Sequence, residues 1–183
     1  METYSEYHDQ QRINVIKSHL QAAKERIVSP FVVMLSFPRD TSQADTSRFR
    51  KNLGEYVARR ARTNKYKLYK LDPRKSIVLT IFHEDSEDDK RRHYHALISL
   101  SSHLCGDRWH LHALVNPIWQ RIRSGPHIYI SNDFHRDLHS NSEDILDALS
   151  YIAKIRQLPS MEKNKKSYTT SHIRFLEGFD LNL

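Results

Sequence analysis

The chain has 183 residues, with 29 lysines and arginines against 22 aspartates and glutamates, a net charge of +7 at neutral pH and a sequence pI near 9.5. That length suits one domain with its own core. A content of 38% hydrophobic and 10% aromatic residues excludes a disordered chain, despite a mean hydropathy of -0.70.

Met1–Gln10 is polar and acidic, unlike a signal peptide. Ile13, Ile16, Leu20, Ala23 and Ile27 recur at helical spacing and predict a helix over 4–28, which Ser29-Pro30 ends. Phe31–Phe37 reads as a buried strand closed by Pro38; it is the longest apolar run, far short of the roughly 20 residues of a membrane helix. Asp45 or Thr46 is expected to cap a helix running to about Arg62, with Phe49, Leu53, Tyr56 and Val57 on one face. After an irregular basic stretch over 63–75, Ser76–Glu84 and His93–Leu100 read as strands of an antiparallel hairpin. A helix follows over Asp107–Arg123, its core face carrying Trp109, Leu114, Ile118 and Trp119 and its first half challenged by Pro117. His127–Ser131 is a fourth strand in which Tyr129 is expected to pack, and Ser142 opens a helix through Gln157. The residues from Ser160 onward read as loosely ordered. The predicted class is therefore α+β, a central antiparallel sheet with flanking helices. The lone cysteine, Cys105, excludes a disulfide framework and a multi-cysteine zinc site, and fits a reducing, cytoplasmic setting. Four glycines and no P-loop argue against a nucleotide ligand, and the basic balance favours a polyanionic partner.

His93 and His95 stand two apart in the third predicted strand, so both imidazoles face one way. Such a pair can take two cis positions on a divalent metal. The partner strand ends in His83-Glu84-Asp85; Glu84 is favoured as third ligand because a carboxylate suits Mg²⁺ or Mn²⁺, with His83 or Asp85 replacing it if the register shifts by one. The competing reading is two histidines that merely line a sheet. His110-Leu-His112 repeats the spacing, but on a helix such residues diverge by roughly 200°.

Tyr151 and Lys154 are three apart in the last predicted helix and share a face. A phenol there can attack a phosphodiester while the ammonium binds a nonbridging oxygen or lowers the phenol's pKa; otherwise the pair is a core-edge tyrosine with a solvated lysine. Arg59, Arg60, Lys65, Lys67, Tyr66 and Tyr69 interleave cations with rings, a pattern that neutralises phosphates and stacks on unpaired bases.

At Val32–Phe37, His93-Tyr-His95 and Tyr151-Ile-Ala-Lys154, taken in that order, the chain resembles the rolling-circle replication initiators of the HUH endonuclease superfamily. Its last third is most similar to the replication-endonuclease-like proteins of filamentous phages and prophages. The resemblance covers about 31–174. It implies an HUH endonuclease-like fold, distantly like RRM and ferredoxin-like sheets, with an amino-terminal helical extension over 1–28, a nuclease domain over 29–159 and a tail over 160–183. It also implies metal-dependent nicking of single-stranded or hairpin origin DNA. Tyr151 would keep a 5′-phosphotyrosine ester, Lys154 would orient the phosphate, and His93, His95 and Glu84 would hold the metal. A host helicase would unwind the DNA. A noncatalytic single-stranded nucleic-acid-binding protein, a transposase of a mobile element, and a phosphodiesterase in which water attacks are the alternatives.

Overall fold

A computed structural model describes residues 10–63, 75–85, 92–136, 138, 142–149 and 168–170. They form α1 (Gln10–Arg26), β1 (Pro30–Ser36), α2 (Gln43–Ala61), β2 (Ile77–Asp85), β3 (Arg92–Ser101), α3 (Arg108–Ile122), β4 (Tyr129–Arg136), α4 (Ser142–Leu149) and β5 (Tyr168–Thr170). The strands make one sheet in the order β4-β1-β3-β2-β5, every neighbouring pair antiparallel. The run β1-α2-β2-β3-α3-β4 with that order is the split βαβ, ferredoxin-like arrangement. The α+β expectation holds. The short strand β5 was not expected: Tyr168–Thr170 pairs with β2 at Phe82, Ile81 and Thr80, a long-range pairing with no local signature.

Local chemistry sets the ends of these elements. The cap of α2 is Ser42 rather than Asp45 or Thr46: its hydroxyl accepts from the Asp45 N–H, and the Asp45 carboxylate accepts from the Ser42 N–H. This is a capping box. Ser29 ends the segment after α1 with φ at 48°, left-handed rather than extended, and its carbonyl accepts from the Ser102 N–H. Asp107 caps α3, and that helix continues through Pro117. Proline removes one helical hydrogen bond. Burial of Leu111, Leu114, Val115, Ile118 and Trp119 outweighs that loss.

Alternation along the strands divides the core in two. Phe31, Val33, Leu35, Leu79, Ile81, Tyr94, Ala96 and Ile98 face α2 and α3, whose Phe49, Leu53, Val57, Leu114 and Trp119 complete an almost wholly apolar layer. Phe37, Phe49 and Trp119 meet edge to face, with centroids 5.3 to 6.2 Å apart. Val32, Val78, Phe82 and Leu97 face the other way, against Ile16, Leu20 and Ala23 of α1 and Ile145 and Leu149 of α4. The amino-terminal helix therefore packs on the sheet.

Candidate functional site

The second face carries the histidine pair. In β3, His95 lies between Ser36 of β1 and Phe82 of β2, and His93 lies directly opposite Glu84. Both imidazoles are half-buried, and their Cα atoms are about 7 Å apart by strand geometry. His95 Nδ1 and Ser36 Oγ are 2.9 Å apart. In the tautomer protonated at Nδ1, the ring donates to Ser36 and Nε2 carries the lone pair, the arrangement that orients a metal-binding imidazole. Ser36 is the polar residue inside the apolar run Val32–Phe37. That oddity was its only signal in the sequence, because its place beside His95 depends on long-range register.

Among the candidates for a third ligand, register distinguishes Glu84. The ring of His83 lies on the opposite face, 4.9 Å between centroids from Tyr94. In the backbone register Asp85 pairs with Arg92, one position beyond the Glu84–His93 pair. Among the described residues, no group of three or more His, Cys, Asp or Glu side chains converges as a metal site; the Glu84 side chain is outside what is described. Two imidazoles on one face with a carboxylate-bearing residue across the ladder are donors of the type that suit Mn²⁺ or Mg²⁺. Tyr151 and Lys154 lie outside the described residues. The helix before them, α4, contacts α1 on the histidine-bearing face, with Ile145 and Leu149 buried.

Two buried polar residues of α1 escaped the sequence reading. Arg12 is fully buried and its Nη2 donates to the His83 carbonyl at 2.6 Å. His19, also fully buried, bridges Thr80 Oγ1 at 2.8 Å and Ser99 Oγ at 3.0 Å. Burial lowers the His19 pKa to about 3, so this imidazole is neutral in the folded protein at physiological pH. A signal was present: Arg12 and His19 fall on the same helical stripe as Ile16 and Ala23.

The basic tract stands elsewhere. Arg59 and Arg60 end α2, on the opposite face from His93 and His95. Arg60 also acts on the Cys105 thiol, just past the Ser101 end of β3, and β3 runs on the order of 30 Å between its ends. Arg59 lines a concavity with Arg121, and Arg60 donates to the Tyr56 hydroxyl at 3.3 Å. Lys65, Tyr66, Lys67 and Tyr69 lie outside the described residues. The structure thus does not bring Arg59 and Arg60 to the histidine pair.

Of two other exposed aromatic residues, Tyr129 stands on the face of the histidine pair, whereas Trp109 belongs to α3, which packs on the opposite face. Trp109, expected in the core, is 84% exposed, and Tyr129, expected to pack, is 55% exposed. The core stripe of α3 runs through Leu111, Leu114, Val115 and Ile118 instead and leaves position 109 outside. Tyr129 pairs with Ser36, which also pairs with His95, so Tyr129 and His95 share a row and a face; two strand spacings, about 10 Å, separate their backbones. The Arg108 guanidinium reaches around the sheet edge, donating to the Ile130 carbonyl at 2.9 Å and lying 6.0 Å from the Tyr129 ring centre. His110 and His112 diverge as expected: His110 pairs with Asp107 at 2.9 Å, and the His112 ring approaches His127 at 5.7 Å. Burial, with the Asp107 charge, pushes the Cys105 thiol up to about 12. It stays protonated and is no nucleophile. No helix among the described residues is long and apolar enough to cross a membrane. Comparison with protein families, with curated proteins and with solved structures finds no match for this chain.

Proposed function

We propose that the protein nicks and rejoins single-stranded DNA with Tyr151 as nucleophile, as an initiator of rolling-circle replication in a phage, prophage or plasmid. The observation that carries this reading is the register of the hairpin: His93 and His95 share one face of the central strand β3, with Glu84 across from His93. Further support comes from α4, the helix that leads towards Tyr151, which packs on that face.

In the proposed reaction the Tyr151 oxygen bonds to the scissile phosphorus and the bond from phosphorus to the 3′ oxygen breaks. The phenolic proton is lost and the 3′ oxygen leaves as a hydroxyl, so the 5′ phosphate stays on the tyrosine. Attack by a 3′ hydroxyl on that ester reverses the step without ATP. A Mg²⁺ or Mn²⁺ held by His93, His95 and Glu84 would polarise the phosphate. Ser36 fixes the His95 ring, and Lys154 binds a nonbridging oxygen. Unwinding falls to a host helicase.

Incubating the protein with single-stranded hairpin DNA and Mn²⁺ should yield a detergent-resistant protein–DNA adduct that Tyr151→Phe abolishes. Cleavage that survives Tyr151→Phe would assign attack to water. Binding with no cleavage under any divalent metal would leave a noncatalytic single-strand binder, a reading favoured by the exposed Trp109 and Tyr129.

A further inference from the structure

The geometry points to a second nucleic-acid contact that the sequence reading did not assign: a stacking platform for unpaired bases, built from Trp109, Tyr129 and Arg108 at the β4 edge of the sheet. It rests on the nicking proposal only in its direction, since it would guide the strand towards the histidine pair; the binding itself requires no chemistry.

Trp109 and Tyr129, 84% and 55% exposed, are the large aromatic residues that the described part of the chain leaves open to solvent. Their neighbours on the same elements include buried apolar residues, Leu111 and Leu114 in α3 and Ile130 in β4. Arg108 lies against one of these rings and lines a concavity of about 240 Å³ with Trp109 and His112. The His112 and His127 rings, tilted against each other with centroids 5.7 Å apart, extend the surface. The nearby carboxylate, Asp107, is engaged by the His110 N–H at 2.8 Å and by the His110 ring at 2.9 Å, which offsets its repulsion of phosphate.

Rings that accept bases on their faces, beside a guanidinium that can meet phosphate or stack on a base, suit a single strand. A duplex hides its base faces, and a protein partner would gain little from the +7 charge of the chain. Tyr129 lies in the same cross-strand row as Ser36 and His95, so a strand seated on the platform needs only about 10 Å to reach the histidines.

Tryptophan emission tests this directly. The chain has two tryptophans, and Trp119 is fully buried with its Nε1 donating to the Pro126 carbonyl. The exposed Trp109 is thus the one an oligonucleotide can quench. Titration with an oligothymidylate of about 12 nucleotides, in chelator so that no nicking occurs, should quench emission, and rising salt should reverse the quenching. Trp109→Ala and Tyr129→Ala should each weaken binding by roughly 5- to 150-fold, the loss of one base–aromatic stack. Unchanged affinity in both variants overturns the platform, even if wild-type emission falls, and so does equal binding of duplex of the same length. Retained Trp119 emission and a cooperative melt show that the variants are folded. Failure of the nicking proposal looks different: quenching persists while no Tyr151 adduct forms.

Discussion

Between the sheet and helices α2 and α3, aromatic rings and aliphatic chains make up the core, with His83 and Asn116 among its few buried polar residues. Across the same strands, towards α1 and α4, the residues include His19, Thr80, Ser99, Ser36, His93 and His95 among the apolar ones. A sheet residue and its neighbour differ only in which way they point, yet one layer supplies the packing energy and the other holds oriented nitrogen and oxygen atoms. The polar groups are tolerated because each described contact is specific: the buried His19 ring has a hydroxyl at each nitrogen, and Arg12 has a carbonyl. Unpaired, the neutral His19 ring would cost about 1 to 3 kcal/mol, and the charged Arg12 more.

Substitutions can break this contrast. Trp119→Ala, on the apolar face, should lose about 3 to 5 kcal/mol in urea denaturation, whereas Trp109→Ala should stay within about 0.5 kcal/mol; similar losses would mean Trp109 is not outside the core. On the other face, His95→Ala should leave the melting temperature nearly unchanged but reduce nicking by at least about 100-fold, beyond what an orienting partner contributes. A large fall in stability with retained nicking would mark His95 as a packing residue. The His19 pair sharpens the comparison through pH. Burial holds the His19 pKa at about 3 in the folded protein, below the 6.5 of a free imidazole, so the unfolded chain binds the proton first. The associated stability is complete above pH 6.5 and is lost as pH falls towards 3. The loss is about 2 kcal/mol at pH 5. Denaturation at pH 7 and 5 should show that drop in the wild type and a smaller one in His19→Gln. Ser36→Ala should weaken Mn²⁺ binding about 10-fold by calorimetry without unfolding the protein. A modest effect lies outside both faces: Ser42→Ala, which removes the α2 cap, should cost about 1 kcal/mol of stability.

Repeating patterns carried much of this organisation in plain view. Two runs of β-favouring residues on either side of a short polar loop located β2 and β3, and a period near 3.6, which backbone geometry imposes on a helix with one buried face, located the core residues of α2. The same logic put His93 and His95 on one face before any coordinates. It misplaced Trp109 and Tyr129, because a preference for burial is only an average: α3 shows its Leu111–Leu114 stripe to the sheet and leaves Trp109 outside, and Tyr129 alternates away from the buried Ile130.

What the order of amino acids determined alone was thus the local set: strand and helix types, the α+β class, and the shared face of two histidines. Tertiary structure decided the rest. Placing Glu84 across from His93, Ser36 beside His95, Tyr129 in that row and Thr170 across from Thr80 required strands from distant parts of the chain to choose partners and register. Those choices are set by how the whole core packs, since a slip of one residue would move every side chain of a strand to the other face of the sheet.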